Sequence, residues 1–565
     1  MENISLRTKI LLAGCAALVY GAGLSVTVMD IDAAQYASMS CQIAASRHFW
    51  TSLLQPAGYL DKPPLLFFLS AVSFKVLGVS TVSYKIPSFL MMLLGFYATY
   101  RLGALLYNRR IGVLAAAVLC SCEGIIFFTN DVRTDAILTG TVVFSVWQIA
   151  EFIETGRAAF FLGGTFGVAL AMLAKGPIGL MVPVLAVGSY VAGKRRFRMF
   201  LKWYWPVGGL IVLFLLMPML WGLYSQYGWR GIRFYFWTQS FGRITGQSSW
   251  RDTSGYFYFV HTFLWAFLPW MLLAYYSIGD HAVRAIKNRF DPANANDLLL
   301  LGGTVFPFVA LSCSHYKLPH YIFVIFPLAA ILTAKTMCEL IDAPHEKKAY
   351  RIFLHTQQVC CILMWVFALV CMTVFFPCKN PVVWLLAVTA CAATFRFSSK
   401  KRSPFARLVL PSLWAIFGMN IVVNLHLFPQ LMSFQGGSNA ATSIRRNHVP
   451  LDRVFGYRAQ DHSIEFYTRR TIPLLDSIQT RDTLRSQDVW IYTGRDGYRS
   501  IREMGFLPAV VDSFPDFHVS KVTMKFLFFK TRSAMLGWQY ILHNIREEKK
   551  SAGNKNTLDN TTHSS

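Results

Sequence analysis

Charged residues are scarce in this chain, and acidic residues are the scarcest among them. Only 15% of its 565 residues are charged, with 29 acidic against 54 basic side chains, while 54% are hydrophobic. A water-soluble protein of this size needs far more polar surface, so the composition excludes a soluble enzyme. Apolar runs long enough to cross the hydrocarbon core recur up to about residue 428, which predicts a polytopic α-helical membrane protein.

Several kinds of site are also missing from the sequence. The cysteines form no CxxC pair with zinc-ligand spacing, and none follows Cys391,. Neither a Walker A motif nor a GxGxxG motif in a strand–helix context is present,. The formal charge of +25 falls mostly in short basic clusters between apolar runs, where it encodes membrane topology and not nucleic-acid binding. The cysteine spacing argues against a zinc module, the missing motifs argue against a nucleotide-binding site, and the placement of the charge argues against a nucleic-acid partner.

Basic clusters predict the direction of each membrane crossing. Arg7 and Lys9 precede a first apolar segment that resembles a signal anchor with no clear cleavage site, so we expect a membrane helix that starts in the cytoplasm,. The pair Arg109-Arg110 marks the next cytoplasmic turn, so the segment 82–107 before it must cross from the exterior to the cytoplasm,. Because a further crossing would reverse this direction, Leu65–Leu77 must lie along the exterior interface without crossing,. Thirteen crossings are predicted, at 10–28, 82–107, 111–128, 136–152, 160–174, 178–191, 205–223, 257–277, 298–313, 321–335, 353–376, 382–395 and 408–427.

The composition becomes more polar after Pro429. We therefore predict a transmembrane domain at 1–430, with exterior loops at 29–81 and 224–256, and a small extracytoplasmic α/β domain at 431–546. That second domain is expected to lack catalytic residues and to tune access to a site on the same face of the membrane. Its expected strands are at 454–457, 489–492 and 525–529, with helices at 463–468 and 498–505,. The Lys-, Asn-, Ser- and Thr-rich tail at 547–565 is predicted to be disordered,.

The predicted topology places the unusual polar residues on one face of the membrane. Acidic side chains are costly at a membrane edge, and acids and bases that meet at helix ends are typical of a site. The alternative is a set of scattered structural ion pairs. The residues in these exterior turns are Asp30, Asp32, Asp61, Lys62, Asp131, Arg133, Asp135, Lys175, Arg243, His315, Lys317 and His320.

Each of these residues also has a structural interpretation. Asp32 is placed to act as the N-cap of a helix at 33–45, although a cap leaves the second carboxylate of the loop unexplained. The stretch 131–135 suits a helix cap with a local Arg–Asp pair, and Lys175 suits a turn lysine that reaches the interface. The stretches 237–246 and 315–321 suit an interfacial aromatic belt.

Five motifs occur in an order that resembles a known superfamily. They are Asp32-Ala-Ala-Gln-Tyr36-Ala, Asp61-Lys62-Pro63-Pro64-Leu65, Arg133-Thr134-Asp135, Ala174-Lys175-Gly176-Pro177 and Lys317-Leu318-Pro319-His320-Tyr321. At these motifs the chain resembles the GT-C polyprenyl-phosphate-sugar glycosyltransferases. It is most similar to the branch of the bacterial lipid A aminoarabinose transferases and the protein O-mannosyltransferases. The resemblance covers about residues 5–430, and the thirteen crossings with an exterior C-terminal domain are similar to the aminoarabinose transferases.

The resemblance implies roles for the residues that match. The family's first exterior loop usually reads Asp-Glu-x-x-Tyr-Ala; here Asp32 matches, Ala33 replaces the Glu and Gln35 replaces a common Arg, so Asp30 is the candidate for the second carboxylate. Some members bind a divalent metal ion near these acids, which leaves such an ion open here, with Asp32 and Asp61 as ligands. The implied catalytic residues are Asp32, Asp30 and Asp135. The expected phosphate-binding residues are Lys62, Arg133, Lys175, Arg243 and Lys317, with Asp61, Tyr36, His315 and His320 lining the site.

The sequence therefore predicts a multi-pass glycosyltransferase of the bacterial inner membrane. It would move a sugar from a polyprenyl phosphate, expected to be undecaprenyl phosphate, to a lipid A-like lipid or a protein on the exterior face. A polytopic lipid or solute transporter is the main alternative, but transporters place polar groups near the bilayer midplane in broken helices and repeats. A membrane scaffold that presents the second domain would leave the ordered loop motifs unexplained.

Overall fold

The computed structural model describes residues 5–46, 59–242, 245–246, 254–344 and 348–544, most of which are helical. The predicted tail at 547–565 lies outside these residues. The described part of the chain divides into two compact units. The first unit contains the described residues up to Gln435 together with His518–Met535, and the second contains Gly436–Phe517 together with the described residues from Leu536.

The first unit is built from helices joined by short turns. Its helices are α1 Leu6–Ser25, α2 Asp32–Ala45, α3 Leu65–Leu77, α4 Thr81–Leu106, α5 Arg109–Cys120, α6 Glu123–Asn130, α7 Thr134–Thr155, α8 Ala158–Lys175, α9 Ile178–Gly193, α10 Tyr204–Tyr227, α11 Trp229–Arg233, α12 Tyr258–Ala266, α13 Met271–Lys287, α14 Ala295–Ser312, α15 Phe326–Asp342, α16 Lys348–Val370, α17 Pro381–Phe397, α18 Pro404–Val422 and α19 Phe428–Met432. A π-helical stretch at Phe234–Phe241 follows α11, and a 3-10 turn at Pro319–Ile325 leads into α15.

Nine helical segments of the described chain are long and apolar enough to cross a membrane, or ten if the bent pair α5 and α6 counts as one span. The prediction of a polytopic helical membrane protein is confirmed, but the count of thirteen is not. Two predicted crossings, α9 and α17, have only 16 and 17 residues. A third, at 257–277, is split into α12 and α13 around Pro269, which lacks the N–H that a continuous helix needs.

Two of the three most buried spans begin at residues of the predicted site. The spans Thr134–Thr155, Pro319–Asp342 and Pro404–Met432 are almost wholly buried within the unit. The first begins immediately after Arg133 and the second begins one residue before His320. The ends of the central helices therefore hold site residues on a rigid support.

The helix α3 has the predicted bounds, Leu65–Leu77. It begins after Pro64 and ends at Gly78, whose φ of +76° suits a residue without a side chain,. Its 13 residues are too few for a full crossing,. Its placement on the exterior surface stays a prediction.

The second unit is a five-stranded mixed sheet with helices. The strands are β1 Val454–Tyr457, β2 Leu474–Leu475, β3 Val489–Gly494, β4 Ala509–Asp516 and β5 Gly537–Asn544, and their order is β2-β1-β3-β5-β4. β1 pairs in parallel with β2 and β3, whereas β5 is antiparallel to β3 and β4. The unit's helices are α20 Gly436–Arg446, α21 His462–Thr468, α22 Ser477–Ser486 and α23 Arg495–Glu503.

The segment His518–Met535 differs from the prediction in two ways. It was expected to lie in the second domain, but it clusters with the first unit. The strand expected at 525–529 is wrong, because the segment forms two short helices, α24 Met524–Leu527 and α25 Phe529–Arg532. A short apolar run cannot be assigned to strand or helix by periodicity alone, and the Thr523 hydroxyl here accepts a hydrogen bond from the Phe526 N–H as a helix cap,.

The carboxyl of Asp461 gives the second unit a pH-dependent stability. Burial raises its pKa, and the nearby charge of Asp516 adds to the rise. A folded-state pKa above the unfolded value means that stability is present at low pH and is lost as pH rises from about 3.9 through the raised folded value. At neutral pH the buried charge therefore costs stability.

Asp461→Asn is expected to stabilise the second unit at pH 7, because Asn keeps the cap of α21 without the buried charge,. Hydrogen-exchange mass spectrometry should show slower exchange in β1 and β3 than in wild type at pH 7, with the difference shrinking towards pH 4. An equal difference at both pH values would contradict this account.

Candidate active site

A buried lysine fixes the end of the first membrane helix. Lys85, in α4, is fully buried, and its Nζ donates to the carbonyl oxygens of Gly23 at 3.0 Å and Val26 at 2.7 Å. These carbonyls belong to the end of α1, where backbone acceptors have no partner within the helix. Sequence analysis missed this residue, although a lone lysine inside the apolar run of α4 was a signal.

A glutamine holds the acidic loop that follows. Gln435 donates from Nε2 to the Val28 carbonyl at 3.0 Å, and its Oε1 accepts from the backbone N–H of Asp30 at 3.0 Å. Its side chain is fully buried. Two distant parts of the first unit thus hold the loop that presents Asp30 and Asp32.

Asp32 is the first residue of α2 and forms an ion pair with Arg133. The N-cap of α2 is Ile31, and no side chain caps it, so the interpretation of Asp32 as an N-cap is wrong. Arg133 contacts one carboxylate oxygen, Oδ2, and the Asp32 side chain remains 42% exposed. This carboxylate is therefore accessible to a substrate.

Arg133 joins Asp32 to a second, buried carboxylate. Its Nε and Nη2 both lie 3.0 Å from Asp131 Oδ2, so the predicted local pair exists. The remaining guanidinium nitrogen, Nη1, contacts Asp32. Burial opposes the charge on Arg133, yet Asp131 and Asp32 more than offset it and raise its pKa. Burial raises the pKa of Asp131, and its Oδ1 is buried with no hydrogen-bond partner in the described chain.

A second cluster forms around Asp135. Lys175, the last residue of α8, forms an ion pair with Asp135 Oδ1, and His320 Nε2 lies 3.6 Å from Oδ2. The Lys175 ammonium also lies 3.8 Å from the centroid of the Tyr321 ring, a cation–π contact. Lys175 therefore has specific partners, which an interfacial lysine would not need.

The third cluster surrounds the predicted Asp61-Lys62 motif. Asp61 Oδ2 pairs with Lys62 Nζ at 2.5 Å and lies 3.5 Å from the Tyr59 hydroxyl, while Oδ1 accepts from Gln239 Nε2 at 3.0 Å. Gln239 lies in the stretch interpreted as an aromatic belt. Its contact across 178 residues of chain could not be predicted from the sequence.

Shared electrostatic interactions bring the three clusters together. Burial raises the pKa of the Tyr36 phenol well above its ordinary value, and Tyr59, Asp32 and Asp61 add to the rise. Tyr36 thus interacts both with the first cluster, formed by Asp32, Arg133 and Asp131, and with the third. His320 in turn experiences the charges of Lys175, Arg133 and Lys62, so all three clusters act on one region.

Two further predicted residues lie on the turn between α14 and the 3-10 turn at Pro319–Ile325. Lys317 is buried, and its Nζ donates to the Ser254 carbonyl at 3.1 Å. His315 is exposed on the same turn. Arg243 lies outside the described residues.

The donor set does not fit a divalent metal ion. No group of three His, Cys, Asp or Glu side chains in the described chain could hold one. The two proposed ligands each face a cation, because Asp32 pairs with Arg133 and Asp61 pairs with Lys62. A metal ion at either carboxylate would have to displace the cation that already balances its charge.

An apolar groove of about 560 Å³ lies between α8, α9 and α10. Phe161, Val168 and Met172 of α8 contribute to its wall. Met172 lies one turn before Lys175 on the same helix. Lys175 thus follows the groove-lining residues of α8 along the same helix.

The helical unit, whose helix ends carry these ion pairs, is that of a multi-span membrane protein, and comparison with known proteins supports the resemblance to the GT-C glycosyltransferases. Residues 61–221 match the family described as dolichyl-phosphate-mannose-protein mannosyltransferase.

Among proteins of known activity, the chain is similar to bacterial aminoarabinose transferases. The chain is 24% identical over 315 residues to the undecaprenyl phosphate-alpha-4-amino-4-deoxy-L-arabinose arabinosyl transferase of Shewanella sediminis, across 53% of this chain and 54% of that protein. It is 25% identical over 312 residues to the enzyme of the same name from Erwinia tasmaniensis, across 54% of each chain. The chain thus spans about half the length of the curated relatives it matches.

The fold is similar to that of ArnT from Cupriavidus metallidurans bound to undecaprenyl phosphate, with a TM-score of 0.72 and 17% identity over 98% of this chain and 100% of that one. The apo form of the same protein gives a TM-score of 0.71 and 16% identity over 95% and 97%. These comparisons give no support to the transporter alternative.

Proposed function

We propose that this protein is a membrane glycosyltransferase that transfers a sugar from undecaprenyl phosphate to a lipid A-like lipid or to a protein. The observation that supports this most strongly is the ion pair between an accessible carboxylate, Asp32, and the buried cation Arg133, in a unit that also holds the Lys175–Asp135 pair and an apolar groove. The named relatives use an undecaprenyl-phosphate-linked aminosugar, and the chemistry of this site suits a donor of the same class.

Asp32 is the proposed general base. The acceptor hydroxyl gives its proton to this carboxylate while the hydroxyl oxygen attacks the anomeric carbon of the donor sugar. The bond from that carbon to the phosphate oxygen then breaks. One displacement inverts the anomeric configuration. Arg133 holds Asp32 in place through their ion pair, and Asp131 holds Arg133.

Cations are proposed to stabilise the departing phosphate. Lysine and arginine donors match phosphate oxygens, and they act strongly in a site that excludes water. Lys175 of the second cluster and Lys62 of the third are the candidates, with Lys317 on the neighbouring turn and Arg243 assigned from the sequence alone. Since Lys175 and Lys62 already face Asp135 and Asp61, an incoming phosphate would share them with these carboxylates.

The groove between α8, α9 and α10 is the proposed site of the polyprenyl chain. Two glycines that line it, Gly188 and Gly209, have open space within 4 Å of the position that a Cβ atom would take. Gly209→Phe should fill the groove without a clash in the helix packing and should abolish binding of undecaprenyl phosphate in native mass spectrometry. Gly279→Phe, at an equally open glycine of α13 outside the groove, is the matched control and should bind normally. Unchanged binding of undecaprenyl phosphate by Gly209→Phe would show that the groove does not hold the polyprenyl chain.

The site is proposed to face the exterior of the cell, because every large basic cluster is then cytoplasmic. A cysteine at Ser80, just after α3, should react with a membrane-impermeant maleimide added to intact cells. A cysteine at Ser399, in a predicted cytoplasmic loop, should react only after permeabilisation. Both variants also carry Cys313→Ser, because Cys313 is exposed and would otherwise react with the maleimide. The reverse labelling pattern would overturn the orientation and the side on which the acceptor is met.

A further inference from the structure

The segment His518–Met535, which we call the return segment, follows β4 and precedes β5 in the chain but packs within the first unit. Its inner side is anchored by a fully buried phenylalanine, Phe526, whose ring centroid lies 5.3 Å from that of Phe434. The return segment is therefore held by the helical unit.

Arg532 locks the return segment to the end of a membrane span. Its guanidinium lies 4.0 Å from the centroid of the Phe376 ring, and Nη2 donates to the Phe375 carbonyl at 2.7 Å. Phe375 is the last residue of the span Lys348–Phe375. Because an apolar span ends where the hydrocarbon core gives way to head groups, the return segment lies at the level of a membrane–water interface.

The outer side of the return segment is both apolar and basic. Phe529 is 78% exposed and Met524 is 59% exposed, with Phe528 beside them at 43%. No Asp or Glu occurs between residues 518 and 535. The exposed basic side chains are Lys521, Lys525 and Lys530.

We propose that the return segment binds the phosphate head groups of anionic lipids in the bilayer that the chain spans. Exposed aromatic and Met side chains beside lysines suit the head-group layer, where apolar tips enter the acyl boundary and ammonium groups meet phosphates. Basic residues next to a span attract anionic lipids, and the return segment carries no Asp or Glu of its own to repel them. The proposal rests on the span and its anchored end, and it is independent of the glycosyl transfer.

The test places a photo-crosslinking phenylalanine analogue, p-benzoylphenylalanine, at position 529 of the full chain. The protein is illuminated in nanodiscs of phosphatidylcholine alone or of phosphatidylcholine mixed with phosphatidylglycerol, and intact mass spectrometry detects adducts. A lipid adduct is expected, with a yield several-fold higher when phosphatidylglycerol is present. The same analogue at the buried position 526 should react with protein only.

Charge variants supply a matched control. The triple change Lys521→Gln, Lys525→Gln and Lys530→Gln should remove the phosphatidylglycerol dependence at position 529. Arg481→Gln, Arg485→Gln and Arg499→Gln, which remove the same charge from the second unit, should leave it unchanged. Protein adducts without lipid at position 529, or a lipid yield that is the same in both nanodiscs, would overturn the proposal.

Discussion

Asp32→Asn protein is expected to insert and fold normally and to lose sugar transfer by at least about a hundredfold. The amide cannot accept the acceptor's proton, whereas its oxygen can still take a hydrogen bond from Arg133. Arg133 also keeps its two contacts with Asp131 at 3.0 Å, so the loop should hold its position. The measurement is the rate of undecaprenyl phosphate release by purified protein in nanodiscs.

The matched control for this change is Asp342→Asn. Asp342 pairs with Arg110 at 2.7 Å but is 59% exposed, and exposed pairs contribute little to stability. It should transfer sugar at the wild-type rate. Turnover of well-folded Asp32→Asn protein at the wild-type rate would refute the catalytic assignment.

Lys175→Met should have the second large effect, on both stability and activity. It leaves Asp135 with its buried charge uncompensated, which costs about 3 kcal/mol, and it removes a cation proposed to meet the phosphate. We expect a loss of transfer of about a hundredfold or more, together with a lower melting temperature. Lys194→Met is the control, because Lys194 pairs with Glu154 in a more exposed setting outside the described clusters.

A double variant separates the two effects of Lys175. Asp135→Asn combined with Lys175→Met removes both charges, so the melting temperature should return towards wild type. Transfer should stay low, because the cation is still missing. Recovery of transfer along with stability would show that Lys175 is only structural.

The apolar runs predicted most of the helical unit because a membrane crossing leaves a strong local signal. Leu65–Leu77 has its predicted bounds, and Val454–Tyr457 is a strand as expected. The failures occur where tertiary structure overrides that signal. Pro269 divides one expected span, and residues 518–535 belong to the first unit, where Arg532 bonds to the end of another span.

Motif order identified most members of the three clusters, but the sequence could not predict how they pair. Asp32 and Arg133 are 101 residues apart, and Lys175 and Asp135 are 40 apart, so their pairing depends on how the helices pack. The anchoring residues Lys85 and Gln435 were missed for the same reason, since their partners are backbone atoms of another segment. Their isolation as polar residues near apolar runs was the only local sign.

The central claim is that the Asp32–Arg133 pair supports sugar transfer from a polyprenyl phosphate. Its most direct test is mass spectrometry of lipid A and envelope proteins from cells that lack the protein and then express either the wild-type or the Asp32→Asn chain at equal levels. The account predicts one acceptor class heavier by a single sugar residue with the wild-type chain, and no such species with Asp32→Asn. Identical acceptor masses in all cells, in the presence of an undecaprenyl-phosphate-linked sugar, or an unchanged product with Asp32→Asn, would contradict it.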